Sequence, residues 1–108
     1  MKIVGIPFSI LGIIDDSYPG FVECEFQDAD GATHRFIDKI PVVTSQDVWH
    51  GTAFPVSDFL HCVETRVALD GTGQLLSTID TARPWNIETP EGTIFRVLTS
   101  TIITISQE

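Results

Sequence analysis

The sequence predicts an all-β fold: a small closed or partly open antiparallel barrel of six or seven strands, built from two hairpins, with little or no helix. Polarity alternates with a period of two in the clearest segments, turn residues recur at short intervals, and no stretch of ten or more residues has an amphipathic helical pattern. Closure is favoured because it removes exposed strand edges. With 108 residues, 43% of them hydrophobic, the chain is expected to form a single β-barrel domain over residues 1–108.

The apolar segment Ile3–Ile14 predicts a first strand that is buried in the core. The segment is too short to cross a bilayer, which needs about 20 apolar residues. A signal peptide is disfavoured, because Pro7 interrupts the run and Asp15 and Asp16 stand where a small-residue cleavage site would be.

The first hairpin follows this strand. Gly20–Gln27 alternates cleanly, which predicts a strand with one buried face and one acidic face. The inward side chains are Val22, Cys24 and Phe26, and the outward ones include Glu23 and Glu25. A turn over Asp28–Gly31 leads to a return strand, Thr33–Ile40, and Pro41 then limits further pairing.

The second hairpin lies in the second half of the chain. Phe59–Leu69 is rich in β-branched and apolar residues, Asp70–Gly73 is a turn with a strong Asp-Gly hairpin signal, and Gln74–Asp80 is the return strand. The Thr-, Ile- and Val-rich segment Thr93–Ser106 predicts the last strand.

Two irregular segments carry the tryptophans. The stretch Thr44–Asp58 has no clear period, so it predicts a long connection that contains Trp49 and one helical turn capped by Ser45. Trp85 lies in the second segment, beside Pro84. An exposed loop tryptophan can anchor a partner or stack on a sugar, whereas a buried one would plug an end of the barrel. For Trp85 the plug is the favoured interpretation, and for Trp49 the two interpretations stay open.

The charge is strongly acidic, with 15 Asp and Glu against six Lys and Arg, a net charge of −9. This disfavours nucleic acid, which needs clustered cations to neutralise phosphates, and it disfavours an anionic membrane surface for the same reason. A basic protein partner is favoured. Two cysteines, Cys24 and Cys62, fit a reducing cytoplasm, although a single bridge between them stays open.

No pattern of residues predicts a reaction. The three histidines, His34, His50 and His61, lack a two-histidine metal spacing, and the chain contains neither a nucleophile elbow nor a phosphate-binding loop. His34 and Asp38 share a strand face, which predicts a solvated or hydrogen-bonded pair rather than metal ligands. We therefore expect no enzyme activity, no catalytic residues, no metal and no cofactor.

Two motifs resemble a known group of proteins. His34–Val43 follows the pattern H-x-F-x-D-K-x-P-V-V, and Arg83–Gly92 follows R-P-W-x-I-E-x-x-E-G. In these motifs, which cover about a fifth of the chain, and in its length, the sequence resembles a group of small bacterial all-β proteins with no established activity. The resemblance implies a bacterial source and a self-contained domain, and it assigns no functional residues.

The leading hypothesis is a small acidic protein-binding protein, best matched by an immunity-type inhibitor that neutralises a basic toxin or effector. The predicted partner-binding residues are the acidic face and the loop tryptophans: Glu23, Glu25, Asp28, Asp30, Trp49 and Trp85. One alternative is a carbohydrate or small-molecule binding module that uses the tryptophans. A third is a structural or assembly module, a homodimer through the edge strand Thr93–Ser106.

Overall fold

The computed structural model describes residues 1–107 and consists mostly of antiparallel strands. The all-β prediction is confirmed. The strands are β1 (Lys2–Asp15), β2 (Phe21–Gln27), β3 (Thr33–Lys39), β4 (Val56–Leu69), β5 (Leu75–Asp80), β6 (Ile94–Leu98) and β7 (Ile103–Gln107). A four-residue helix, α1 (Ile40–Val43), follows β3, and a 3-10 turn over Thr99–Thr101 separates β6 from β7.

The strands form one curled half-barrel sheet in the order β3-β2-β1-β4-β5-β6, and β7 returns to pair with β1. Both predicted hairpins are present, β2–β3 and β4–β5, and their turns place Gly31 and Gly73 at positive φ. The long strand β1 organises the fold. One of its edges pairs with β4 over residues 2–10, while the other pairs with β7 over residues 2–5 and with β2 over residues 9–15.

The core lies on the concave side of the sheet and is built from alternate residues of each strand. Val22, Cys24 and Phe26 of β2 are buried, as their alternation predicts. Cys24 and Cys62 are both buried and both free, so the bridge left open by the sequence does not form. Among residues 1–107, no helix is long and apolar enough to cross a membrane.

The last segment differs from its prediction. The single strand expected over Thr93–Ser106 is divided, because β5 begins at Leu75 and β6 has no partner beyond Leu98. The chain turns there, Thr101 donates a hydrogen bond from its hydroxyl to the Leu98 carbonyl, and β7 joins β1 instead. The two outer strands in the sheet order are β3 and β6, and β6 lies within Thr93–Ser106, so the predicted homodimer through this segment stays a prediction.

Two further predictions in irregular segments were wrong. The helical turn lies at Ile40–Val43 rather than after Ser45, because Pro41 is tolerated in the first turn of a helix. Trp85 does not plug the barrel, since 53% of its surface is exposed. Asn86 takes a positive φ of 56°, and the fully buried Ile87 fills the interior in its place.

Candidate functional site

A groove of about 550 Å³ opens where the sheet is incomplete. Between the end of β7 pairing at Gly5 and the start of β2 pairing at Ser9, one edge of β1 has no strand partner. Pro7 lies in this gap, and a proline suits an unpaired edge because it has no N–H to donate. The groove is therefore a consequence of two strands, β2 and β7, sharing one edge of β1 without meeting.

The walls of the groove come from four parts of the fold. They are Pro7 and Ser9 on β1, Glu25 and Gln27 on β2, Ser57 and Phe59 on β4, and Leu98 and Thr101 at the β6–β7 corner, among others. Pro7 is exposed and pairs with half-buried Phe59, so the two form an apolar strip along the β1–β4 ladder. Glu25 stands on the neighbouring wall, directly across the ladder from Ser9.

The outward face of β2 is acidic, as the alternation predicted. Glu23 has Gly12 and Ile37 as its cross-strand neighbours. Glu25 has Arg35 as one neighbour, and the Arg35 Nε donates to the Glu25 carboxylate at 3.2 Å. Because the Arg35 side chain is 62% exposed, this is a surface ion pair of about 0–1 kcal/mol that leaves Glu25 available to exchange partners.

Further acids join Glu23 at the β1–β2 end of the sheet. Asp15 pairs with Phe21, on the same face as Glu23, whereas Asp38 pairs with the buried Val22 and therefore points to the opposite face of the sheet at the same end. Nearby acids also affect the buried Cys24 thiol. Burial raises its pKa to about 12, and the negative charges of Asp38 and Glu23 contribute to the rise.

Asp28 and Asp30, expected at the other end of the acidic face, differ in their surroundings. Asp30 is exposed at the tip of the β2–β3 hairpin. Asp28 is held inside the structure, because one carboxylate oxygen accepts hydrogen bonds from the backbone N–H groups of Asp30 and Ala32 and the other contacts His34. Asp28 also lines the groove, and its role in partner binding stays a prediction.

His34 is the centre of a buried polar cluster that the sequence analysis missed. Its Nε2 lies 2.8 Å from Asp28 Oδ2 and its Nδ1 lies 2.7 Å from Glu91 Oε1. The ring packs between Phe26 and Phe95, with centroid distances of 5.4 and 4.5 Å. The sequence predicted that His34 pairs with Asp38, and this prediction was wrong. The cluster instead links the β2–β3 hairpin to the turn before β6.

The hydrogen-bond geometry of this cluster indicates that the His34 ring is positively charged. Ionised carboxylates only accept hydrogen bonds, so both contacts need an N–H from the ring, and only the imidazolium has two. Burial of His34 disfavours the charged ring, but the hydrogen bonds and charges of Asp28 and Glu91 outweigh it and raise its pKa above 6.5. The hydrogen bond from His34 is also the main reason why the pKa of Asp28 is lowered.

The long connection before β4 lies along that strand, and it does not bring the tryptophans to the groove. The Thr44 hydroxyl donates to the Asp58 carboxylate, and the Gln46 side chain donates to the Ser57 carbonyl. Trp49 is 56% exposed and makes an edge contact with His50. Neither Trp49 nor Trp85 lines the groove. Their proposed role as anchors stays a prediction.

In the described part of the chain, no group of three or more His, Cys, Asp and Glu side chains is arranged to hold a metal ion. Comparisons with protein-family models, with curated proteins and with solved structures found no match. The functional argument therefore rests on the groove and on the distribution of charge around it.

Proposed function

We propose that the protein binds a basic protein partner through the outward face of Glu23 and Glu25 and the adjoining groove. The observation that supports this best is the composition of the groove, which sets a carboxylate on one wall beside the apolar strip of Pro7 and Phe59. A lysine or arginine side chain has a matching construction, an apolar stem with a charged end. The groove would receive such a side chain as an anchor.

The surrounding charge supports the same partner. Of the 14 Asp and Glu residues in the described region, five form ion pairs with Lys, Arg or His, which leaves nine that form none. Glu23 and Asp15 belong to the unpaired group and share the outward face at one end of the sheet. A surface of one sign accelerates encounter with an oppositely charged partner by about 10–1,000-fold at low salt.

Within this proposal, the class that fits best is an immunity-type inhibitor that neutralises a basic toxin or effector. Small size and a net charge of −9 support it. The groove also supports a second candidate, a small-molecule binding module, because its volume is within the usual range of about 300–1,000 Å³ for ligand sites. In that case the walls of the groove, rather than the tryptophans, would contact the ligand.

The test is affinity capture from the source cells with the wild-type chain, followed by kinetics on the purified partner. We expect a basic protein whose association rate falls about tenfold in the double variant Glu23→Gln/Glu25→Gln and becomes less dependent on salt. The matched control is Asp47→Asn/Glu88→Gln, which removes the same charge at two exposed positions outside the face and the groove. Ser57→Phe, which fills the groove from an exposed position, should slow association little and speed dissociation.

An acidic partner would contradict the proposal, as would equal association rates for wild type and Glu23→Gln/Glu25→Gln. If the wild-type chain captures no protein from the source cells, and Ser57→Phe abolishes binding of a small molecule, the small-molecule binding module replaces the protein-binding function.

A further inference from the structure

Two arginines and a threonine form a row across three strands, β4, β5 and β6. Arg66 on β4 is the cross-strand neighbour of Thr78 on β5, and Thr78 is the neighbour of Arg96 on β6. All three face outward, because the residues beside Thr78 and Arg96 on their own strands point into the core. Neighbouring strands are about 4.8 Å apart, so the two arginines are about 10 Å apart at the backbone and flank the threonine.

The pairing of charges around this row is unusual for so acidic a chain. Lys2, Arg35 and Arg83 each form an ion pair with a carboxylate. Within residues 1–107, Lys39, Arg66 and Arg96 form none, and the Thr78 hydroxyl forms no hydrogen bond. Two like charges thus lie on either side of a free hydroxyl, although eight acids elsewhere in residues 1–107 form no ion pair with Lys, Arg or His.

Two carboxylates lie near the row, and both have other partners. Asp80 lies two residues from Thr78 on the same face, but Arg83 lies 3.7 Å from its carboxylate. Asp70 lines the cleft beside the row, and its Oδ1 accepts three hydrogen bonds from Thr72 and Gln74 within its own turn. A small cleft of about 180 Å³ opens between the arginines, and its apolar wall includes Leu69 and Leu76.

We propose that this cleft binds the phosphate group of a small organic phosphomonoester. Arginine presents its N–H groups in a planar fork that matches phosphate oxygens, and a guanidinium from each side with a hydroxyl beneath them can contact three oxygens of one tetrahedral group. The phosphate carries a charge of about −1.5 to −2 at pH 7, so it offsets both arginines. The exposed Leu69 and half-buried Leu76 would contact the organic part of the ester.

The experiment is a titration followed by NMR amide shifts and by the arginine Nε–H signals, with inorganic phosphate and phenyl phosphate as probes. Sodium chloride holds the ionic strength constant. We expect shifts centred on Thr78 and on the two arginines, with phenyl phosphate bound more tightly than inorganic phosphate. Arg66→Gln and Arg96→Gln should each weaken binding about tenfold or more, since each removes hydrogen bonds to a charged group.

Arg35→Gln is the matched control, because it removes one exposed cation from β3 and should leave both affinities unchanged. Arg66 and Arg96 are exposed, so their variants should keep the wild-type spectrum away from the cleft. The proposal is overturned if chloride produces the same shifts, if either cleft variant binds as wild type does, or if Arg35→Gln loses as much affinity as they do. Phenyl phosphate binding no tighter than inorganic phosphate would overturn the assignment to an ester. None of these results depends on the acidic face, so this site and the proposed function can fail separately.

Discussion

Replacing His34 with phenylalanine tests whether a charged ring holds the β2–β3 hairpin to the turn before β6. Phenylalanine keeps an aromatic ring between Phe26 and Phe95, so the packing that surrounds the imidazole is largely retained. The substitution removes both N–H donors, and the carboxylates of Asp28 and Glu91 lose their partner. Any loss of stability then reports on the hydrogen bonds rather than on a cavity.

The magnitude follows from the exposure of the two acceptors. A hydrogen bond to a charged group contributes about 1.5–3 kcal/mol. The Asp28 side chain is only 17% exposed, so its hydrogen bond with His34 should contribute the full amount. Glu91 is 49% exposed, so its carboxylate is rehydrated when the bond is lost and the bond contributes less. We expect the free energy of unfolding to fall by about 2–4 kcal/mol in His34→Phe, at a pH where the wild-type ring is charged.

The cost of the substitution depends on pH. The pKa of His34 is raised from 6.5, so its contribution to wild-type stability is complete below that value and is lost as the pH rises through the folded pKa. The pKa of Asp28 is lowered from 3.8, so its contribution is present above that value and is lost in stronger acid. The difference in unfolding free energy between wild type and variant should be largest between about pH 4 and 6.5 and should decrease as the pH rises further.

The measurement is urea unfolding followed by far-ultraviolet circular dichroism at several pH values, since a domain of this size is expected to unfold in one step. His50→Phe is the control, because it replaces an exposed histidine whose ring contacts Trp49. The free energy of unfolding of this variant should match that of the wild type at every pH. A His34→Phe curve that runs parallel to the wild type from about pH 5 to 9 would refute the charged link.

Two other features of the fold give measurable expectations. A methyl group at Gly5 would lie 2.8 Å from the Phe59 Cβ and 3.0 Å from Ile103, so Gly5→Ala should lower the free energy of unfolding by about 1–3 kcal/mol. Gly12→Ala, on the same strand with open space, should change it by less than about 0.5 kcal/mol, and equal effects of the two would contradict this packing. Burial raises the pKa of both cysteine thiols to about 12, so neither Cys24 nor Cys62 should react with a disulfide reagent near neutral pH until denaturant is added. Fast labelling of the folded protein would show that one of them is accessible.

Much of the fold could be predicted because it is specified locally. The alternation of Gly20–Gln27 identified both faces of β2, and the turns over Asp28–Gly31 and Asp70–Gly73 identified the two hairpins. In each case the decisive contacts lie within one hairpin. A period-two pattern and a turn residue therefore contain nearly all the information required.

The missed features depend on contacts between distant segments. His34 and Glu91 are 57 residues apart in sequence. A signal for the buried histidine was nevertheless present, because the alternation that places Phe36 in the core also places His34 there, and a buried polar ring needs partners. The arginine row had no such signal, since the bulge between Glu64 and Arg66 sets the register that aligns Arg66 with Thr78.

The position of the unpaired acids determines the side from which a basic partner would approach. Asp28 belongs to the structural link with His34, so the hairpin tip contributes one free carboxylate, that of Asp30, to the acidic face. The opposite end of β2 has more on its outward face, because Asp15 adjoins Glu23 there. A partner guided by charge should therefore first contact the β1–β2 end of the sheet and then reach the groove along β2. On this route, neutralising Asp15 should slow association more than neutralising Asp30.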